Sequence, residues 1–200
     1  GYIAVNYVPD VSCAQVSTMP NKGERLTVDL NGVWAFDSTS FAQWSVDNYV
    51  PDLDFINAIP VPGLWSSAFM KMGDNQWHKA WYKKNVVLEE EPNCNVMLYI
   101  EQAQYGRYVY VNGNLIDTYE YNYSASYSDL TGLLHKGENE IIVMLGDFTE
   151  QFSNPDCNAH LLHDGESRYD LPGITGSVEL VFNSDPTVSK VQPNPDIENG

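Results

Sequence analysis

The stretch Arg107-Tyr108-Val109-Tyr110-Val111-Asn112-Gly113-Asn114-Leu115-Ile116-Asp117-Thr118-Tyr119 decides the fold class. Aromatic and β-branched residues, which favour strands, recur in both arms. Asn-Gly between them suits a type I′ turn, whose two central residues need positive φ, so the arms read as one hairpin. Outward from the hairpin the same alternation recurs. Residues 32–38 set Val33, Ala35 and Asp37 on one face and Trp34 and Phe36 on the other, and 95–101 alternate Val96, Leu98 and Ile100 against Met97 and Tyr99. Residues 80–88, 140–145 and 177–182 read as further strands, the last with Val178, Leu180 and Phe182 inward. No stretch keeps apolar residues at helical spacing for three turns. Short strands separated by Gly, Pro, Asn and Asp clusters predict an all-β chain folded as an antiparallel β-sandwich or barrel.

The chain has 200 residues, suiting one domain, and is 43% hydrophobic, which excludes wholesale disorder. Its net charge of −17 would repel a phosphate backbone or an anionic bilayer, so neither nucleic acid nor membrane is expected as a partner. Only 18% of residues are charged, so Asn, Ser, Thr, Gln and Tyr must supply much of the polar surface. Such a surface suits a neutral, hydroxyl-rich ligand at least as well as a charged one. No apolar run approaches the ~18 residues of a membrane span, and no leader pattern is visible. The opening Gly1 suggests a processed or trimmed chain. Cys13, Cys94 and Cys157 allow at most one internal disulfide and leave a thiol over, so this is no disulfide scaffold.

Leu30-Asn31-Gly32-Val33-Trp34-Ala35-Phe36 reads L-x-G-x-W-x-F and, with the motifs that follow it in order, resembles the opening strand of the N-terminal sugar-binding domain of family 2 glycoside hydrolases, the β-galactosidase and β-glucuronidase group. Ile59-Pro60-Val61-Pro62-Gly63-Leu64-Trp65 resembles a VPGxW turn, Trp81-Tyr82-Lys83-Lys84 a WYRR strand, and Tyr108 to Gly113 a VxVNG hairpin. Tyr123 to Thr131 resembles GYxPFxxDIT, Lys136 to Val143 resembles xGxNxLxV, and Pro172-Gly173-Ile174 with Ser177 to Leu180 resembles GIYRxVxL. The resemblance implies a galactose-binding-like jelly roll over 29–183, preceded by an extension (1–28) and followed by a linker entering the next domain (184–200). It also implies that an immunoglobulin-like sandwich and a (β/α)₈ barrel follow, the barrel carrying the two catalytic glutamates. A barrel of ~250 residues does not fit in this length, so the chain is expected to be an accessory fragment without its own catalytic residues. Export to the periplasm or beyond is the habit of such enzymes. A free-standing carbohydrate-binding module and a structural or adhesive sandwich of a surface protein are the alternative readings.

Site residues are expected in two connections. The 147–172 gap holds His163-Asp164-Gly165-Glu166-Ser167-Arg168-Tyr169-Asp170, which mixes acid, base and aromatic just before Gly173-Ile174. By the resemblance this loop reaches over the barrel mouth and offers an acid six positions before Gly-Ile. Ser167 stands at that position, Asp164 if three residues are inserted, and the usual Arg after Gly-Ile is replaced by Thr175-Gly176. Asp164, Glu166, Ser167, Arg168 and Tyr169, with Asn75 and Trp77 before the Trp-Tyr-Lys-Lys strand, are therefore the candidates for a carbohydrate-binding rim. Sugars present flat C–H faces and hydroxyls, so stacking aromatics are needed; Trp65, Tyr119, Tyr121, Tyr123 and Tyr127 also lie near strand ends. Trp34 and Trp81 read as core. Glu89-Glu90-Glu91 and Asp52/Asp54 sit in turn-like segments beside prolines and read as solvated rather than catalytic. Cys157, His160, His163 and Asp164 have superficial metal spacing, but i, i+3, i+6 drifts around a helix, so no metal centre is expected. No cofactor is expected; a structural calcium in the acidic loops fits oxygen-rich turns without any specific spacing to mark it.

Overall fold

A computed structural model describes residues 3–4 (backbone only), 8–39, 50–70, 79–119, 123–146 and 172–184. In chain order the strands are β1 (Ile3–Ala4), β2 (Ala14–Val16), β3 (Arg25–Asp29), β4 (Gly32–Thr39), β5 (Asn57–Val61), β6 (Gly63–Leu64), β7 (Phe69–Met70) and β8 (Lys79–Leu88). They continue with β9 (Asn95–Ile100), β10 (Ala103–Gln104), β11 (Arg107–Val111), β12 (Asn114–Tyr119), β13 (Ser126–Asp129), β14 (Gly137–Gly146), β15 (Gly173–Ile174) and β16 (Val178–Asn183). A single 3₁₀ turn, Trp65–Ser67, follows β6. The larger sheet runs β1-β7-β5-β4-β8-β14-β11-β12, with β2 also on β8; it faces a four-stranded sheet, β13-β9-β16-β3. A third, small sheet, β10-β15-β6, completes the described strands. The chain is an antiparallel β-sandwich, with two short exceptions.

Those exceptions are the parallel pairs β1–β7 and β2–β8. β4 occupies one edge of β8 only from Lys79 to Lys83, and β2 takes the same edge from Val86 to Leu88. Without β2 those backbone groups would lack ladder partners. The first 28 residues thus supply strands as well as leading into the sandwich, and β3 pairs with β16 along its whole length.

One core lies between the sheets. Trp34, Phe36, Ala80, Tyr82, Val86 and Leu88 from one layer meet Val96, Leu98, Ile100, Val178, Leu180 and Phe182 from the other. The Trp34 indole donates to Leu30 O at 2.8 Å, so its burial leaves no polar atom stranded. On the outside of the large sheet Trp81, Tyr108, Tyr110, Ile142 and Met144 form a second cluster, packed over by Val50, Leu53 and Phe55. Trp81 donates to Thr39 Oγ1 at 3.1 Å. The hairpin forms as its turn chemistry demands: Asn112 and Gly113 have φ of 48° and 87°, and Val111 pairs with Asn114. A Cβ at Gly113 would meet nothing within 4 Å, so the glycine answers to backbone conformation alone.

Candidate functional site

The register gathers one end of the sandwich. Thr39 pairs with Lys79, and Lys79 with Gly146, so the ends of β4, β8 and β14 form one row. Gly146 exchanges both backbone hydrogen bonds with Tyr105, just before β11, and Arg107 pairs with Tyr119 at the end of β12. The connections 40–49, 71–78, 120–122 and 147–171 all leave from or return to this end. Asn75 and Trp77 belong to the second; Asp164, Glu166, Ser167, Arg168 and Tyr169 belong to the fourth. All seven lie outside the described residues, as do Tyr121, Cys157, His160 and His163. The structure brings together the roots of their connections, Lys79 and Gly146, as direct strand neighbours.

Polar side chains are buried close to these roots. Among the described residues ten polar or charged side chains are buried; near this end Gln104, Arg107 and Ser126 are among them, and Thr39 and Lys79 are covered on the outer face beside Trp81. Arg107 is wholly buried and clamps the two layers. It donates to Ile100 O (3.3 Å), Ser126 Oγ (2.6 Å) and Ser124 O (2.7 Å), all across the sandwich, and stacks on the Tyr119 ring at 4.6 Å. Burial pulls its guanidinium down to about 10, with Tyr119 acting in the opposite sense. The sequence marks Arg107 as a strand residue without marking it as buried. The signal was parity: Arg107, Val109 and Val111 share a face, and Lys84 shares one with Tyr82 and Val86.

Two motifs separate in the chain meet here. Gly173 and Ile174 pair with Leu64 and Gly63, and Trp65 N donates to Pro172 O at 2.9 Å. Gly173 has φ of 154°, and a Cβ there would fall inside van der Waals contact with the Gly63 carbonyl; a Cβ on Gly63 would strike the Pro60 carbonyl. Both glycines are therefore close-approach positions. Under them lies Tyr82, completely buried; its burial pushes the phenol well above the usual range, partly offset by Trp65 and the Ile174 backbone.

The aromatic candidates divide. Trp65, considered as a platform, is buried in the core, because the β6–β15 pairing draws its segment inward. Tyr119 is half-buried and its hydroxyl binds Ser124 Oγ and donates to Ala125 O. Tyr123 remains 59% exposed at φ 58°, a conformation costly for an aromatic residue. The carbonyl of the next residue, Ser124, accepts from Arg107. Tyr127 lies elsewhere, on the outer face of the four-stranded sheet, against Tyr99.

The carboxylate clusters behave as solvated turns. Glu89, Glu90 and Glu91 are exposed beyond the far end of β8, roughly 30 Å along the strand from Lys79. They accept from Ser17 Oγ, Met19 N and Lys136 N, tying neighbouring segments to the turn. Asp52 and Asp54 are exposed too. Among the described residues no group of three His, Cys, Asp or Glu could hold a metal ion, and Cys13 and Cys94 are free thiols. No described helix is long and apolar enough to cross a membrane, which says nothing of strands.

No family model matches the chain, and no curated protein does either. Solved structures do. The chain superposes on Faecalibacterium prausnitzii beta-glucuronidase with a TM-score of 0.55 and 21% identity, covering 84% of this chain and 33% of that one. It superposes on Ruminococcus gnavus beta-glucuronidase in complex with D-glucaro-d-lactam with a TM-score of 0.57 and 19% identity, over 83% and 30%. For Bacteroides uniformis beta-glucuronidase the values are 0.57 and 18%, over 80% and 18%. The chain spans a third or less of the length of these enzymes. At such identities the likeness establishes the fold.

Proposed function

We propose that this chain is the non-catalytic, sugar-binding jelly-roll domain of a family 2-like glycoside hydrolase. The observation that carries the reading is that most of the chain superposes on about a third of several beta-glucuronidases. The seven short motifs, in family order, support the same reading from the residues. In this reading the galactose-binding-like sandwich is a rigid mount. Arg107 locks the two layers, Gly63 and Gly173 approach closely at one end, and Lys79 and Gly146, where two of the connections are rooted, are direct strand neighbours. Asn75, Trp77, Asp164, Glu166, Ser167, Arg168 and Tyr169 then line the rim of a sugar site, with exposed Tyr123 as a neighbouring stacking surface. The two carboxylates that cleave the glycoside, about 5–5.5 Å apart in a retaining enzyme, come from a barrel in the same polypeptide. Two carboxylates suffice for that chemistry, so no cofactor is required, though a structural calcium is compatible. The expected compartment is periplasmic or extracellular.

The test compares the product of the whole gene with the 200-residue chain on aryl β-glucuronides and β-galactosides. The whole product cleaves one of them and the chain alone cleaves none. Trp77→Ala and Tyr169→Ala in the whole product lower kcat/KM by about tenfold, the loss of one stacking contact of ~1.4 kcal/mol. Hydrolysis by the chain alone, or a gene product without glycosidase activity, would overturn the reading.

A further inference from the structure

The outer face of the four-stranded sheet carries a row unlike anything at the loop end. Tyr127 pairs with Tyr99, Tyr99 with Glu179, and Glu179 with Asp29, so these four residues stand side by side across β13, β9, β16 and β3. Tyr127 is 59% exposed, Asp29 is exposed, and Tyr99 and Glu179 are half-buried, so the row opens to solvent from edge to edge. The Tyr99 and Tyr127 rings sit 4.8 Å apart, tilted by 41°. A cross-strand aromatic pair stabilises a sheet by ~0.2–1 kcal/mol, which accounts for the contact but not for leaving a tyrosine so open on an edge strand.

We infer that this row is a second glycan-binding surface, one that holds a neutral polysaccharide chain lying across the strands. The inference rests on the carbohydrate reading above. Adjacent strands are ~4.8 Å apart, a step comparable to one pyranose ring, so successive sugars would pass over successive strands. The tyrosine rings offer flat faces for sugar C–H groups. Glu179 and Asp29 offer oxygens to sugar hydroxyls; Asp29 Oδ1 also accepts from the Asn31 N–H at 2.8 Å. Glu101 borders the row, its Oε2 accepting from Ser177 N. The Tyr99 phenol is raised by desolvation first and then by Glu101, Tyr127 and Glu179, so two carboxylates lie near that ring. Their negative field repels polyuronates and sulfated glycans, so the ligand is an uncharged chain.

Affinity electrophoresis of the 200-residue chain through gels containing galactomannan, xyloglucan, arabinogalactan, polygalacturonate or polylysine tests this. At least one neutral polysaccharide retards the chain and polygalacturonate does not. Tyr127→Ala weakens retardation about tenfold, and Tyr127→Phe, which keeps the ring face, preserves it. Circular dichroism checks that the exposed substitution leaves the sandwich intact. Retardation by none of the neutral polymers overturns the inference, as does retardation unchanged in Tyr127→Ala. Retardation by polylysine alone overturns it in favour of a docking face for a basic protein. If Trp77→Ala or Tyr169→Ala abolishes binding while Tyr127→Ala does not, the sheet-face surface fails and the loop-end site stands.

Discussion

Tyr82 shows how a single buried polar group ties stability to pH. It lies under the Gly63–Gly173 contact, edge-on to Phe36 with ring centroids 5.2 Å apart, in an interior that penalises a phenolate. In the unfolded chain the phenol ionises at its ordinary value of 10.0, whereas in the folded chain burial keeps the proton on well beyond that. Above pH ~10 the unfolded state therefore binds fewer protons than the native state. Stability is fully present below that pH and falls as pH rises further, by up to ~1.4 kcal/mol per pH unit from this one group. Tyr82→Phe keeps the ring and removes the titration. Urea midpoints of the two proteins match near neutrality and diverge above pH ~10, the variant falling less. Parallel decline of both would mean that Tyr82 ionises freely in the native state. Lys84 has the opposite sign, since burial lowers its pKa and the penalty on its charged form eases as pH rises toward 10.5. Both proteins contain it, so it cancels in the comparison.

At the scale of elements, β2 is the informative strand. Ser12, just ahead of it, donates its hydroxyl to Val33 O (3.0 Å) and accepts from the buried Lys84 ammonium (2.6 Å), which also lies 5.8 Å from the Trp34 ring centre. Ser12→Ala takes an acceptor from a buried cation and is expected to cost ~1–3 kcal/mol. Lys84→Met keeps the stem over Trp34 and removes the charge, so its effect is expected within ~1 kcal/mol of zero or stabilising. In the double variant the Ser12 penalty largely disappears; strictly additive losses in urea unfolding would show that the contact does not hold the strap. Nothing in Ala14-Gln15-Val16 announces a strand, because three residues carry no period. The strands legible beforehand, β4, β8, β9, β11, β12, β14 and β16, are those with aliphatic or aromatic alternation. β13 is not legible in the sequence because its inward residues, Ser126 and Ser128, are polar, and Ser126 points at Arg107 rather than at apolar core. β5 contains Pro60, a residue that ordinarily demotes a strand, and in β3 the apolar signal is only Leu26 and Val28. For the candidate site, the chain order showed which connections were long and mixed in chemistry. It could not show that 71–78 and 147–171 share a root, since the Lys79–Gly146 pairing is a matter of long-range register.

The whole molecule combines a compact sandwich with a net charge of −17. Its cations are placed to serve the interior as much as the surface: Lys79, Lys84 and Arg107 are all buried. The ion pair Lys83–Glu140, at 3.6 Å and partly exposed, is of the kind worth little in water. Acidic groups such as Glu89, Glu90, Glu91, Asp52 and Asp54 thus stand in solvent with few cations left to offset them. Folding brings these charges closer than they are in the expanded chain, so self-repulsion opposes the native state. Screening acts on this directly, because the Debye length falls from ~30 Å at 0.01 M salt to ~8 Å at 0.15 M. Raising sodium chloride across that range is expected to raise Tm by a few degrees, about 2–4 °C for each kcal/mol gained in a domain of this size. Sodium chloride at these concentrations acts mainly by screening, so a rise that flattens near 0.15 M is the signature of repulsion relieved. A Tm that stays level or falls would mean that the surface acids are held by attractive pairs which salt weakens. The same field would then be too weak to discriminate polygalacturonate from neutral chains at the Tyr99–Tyr127 row, so the melting curves also bear on the charge argument for that surface.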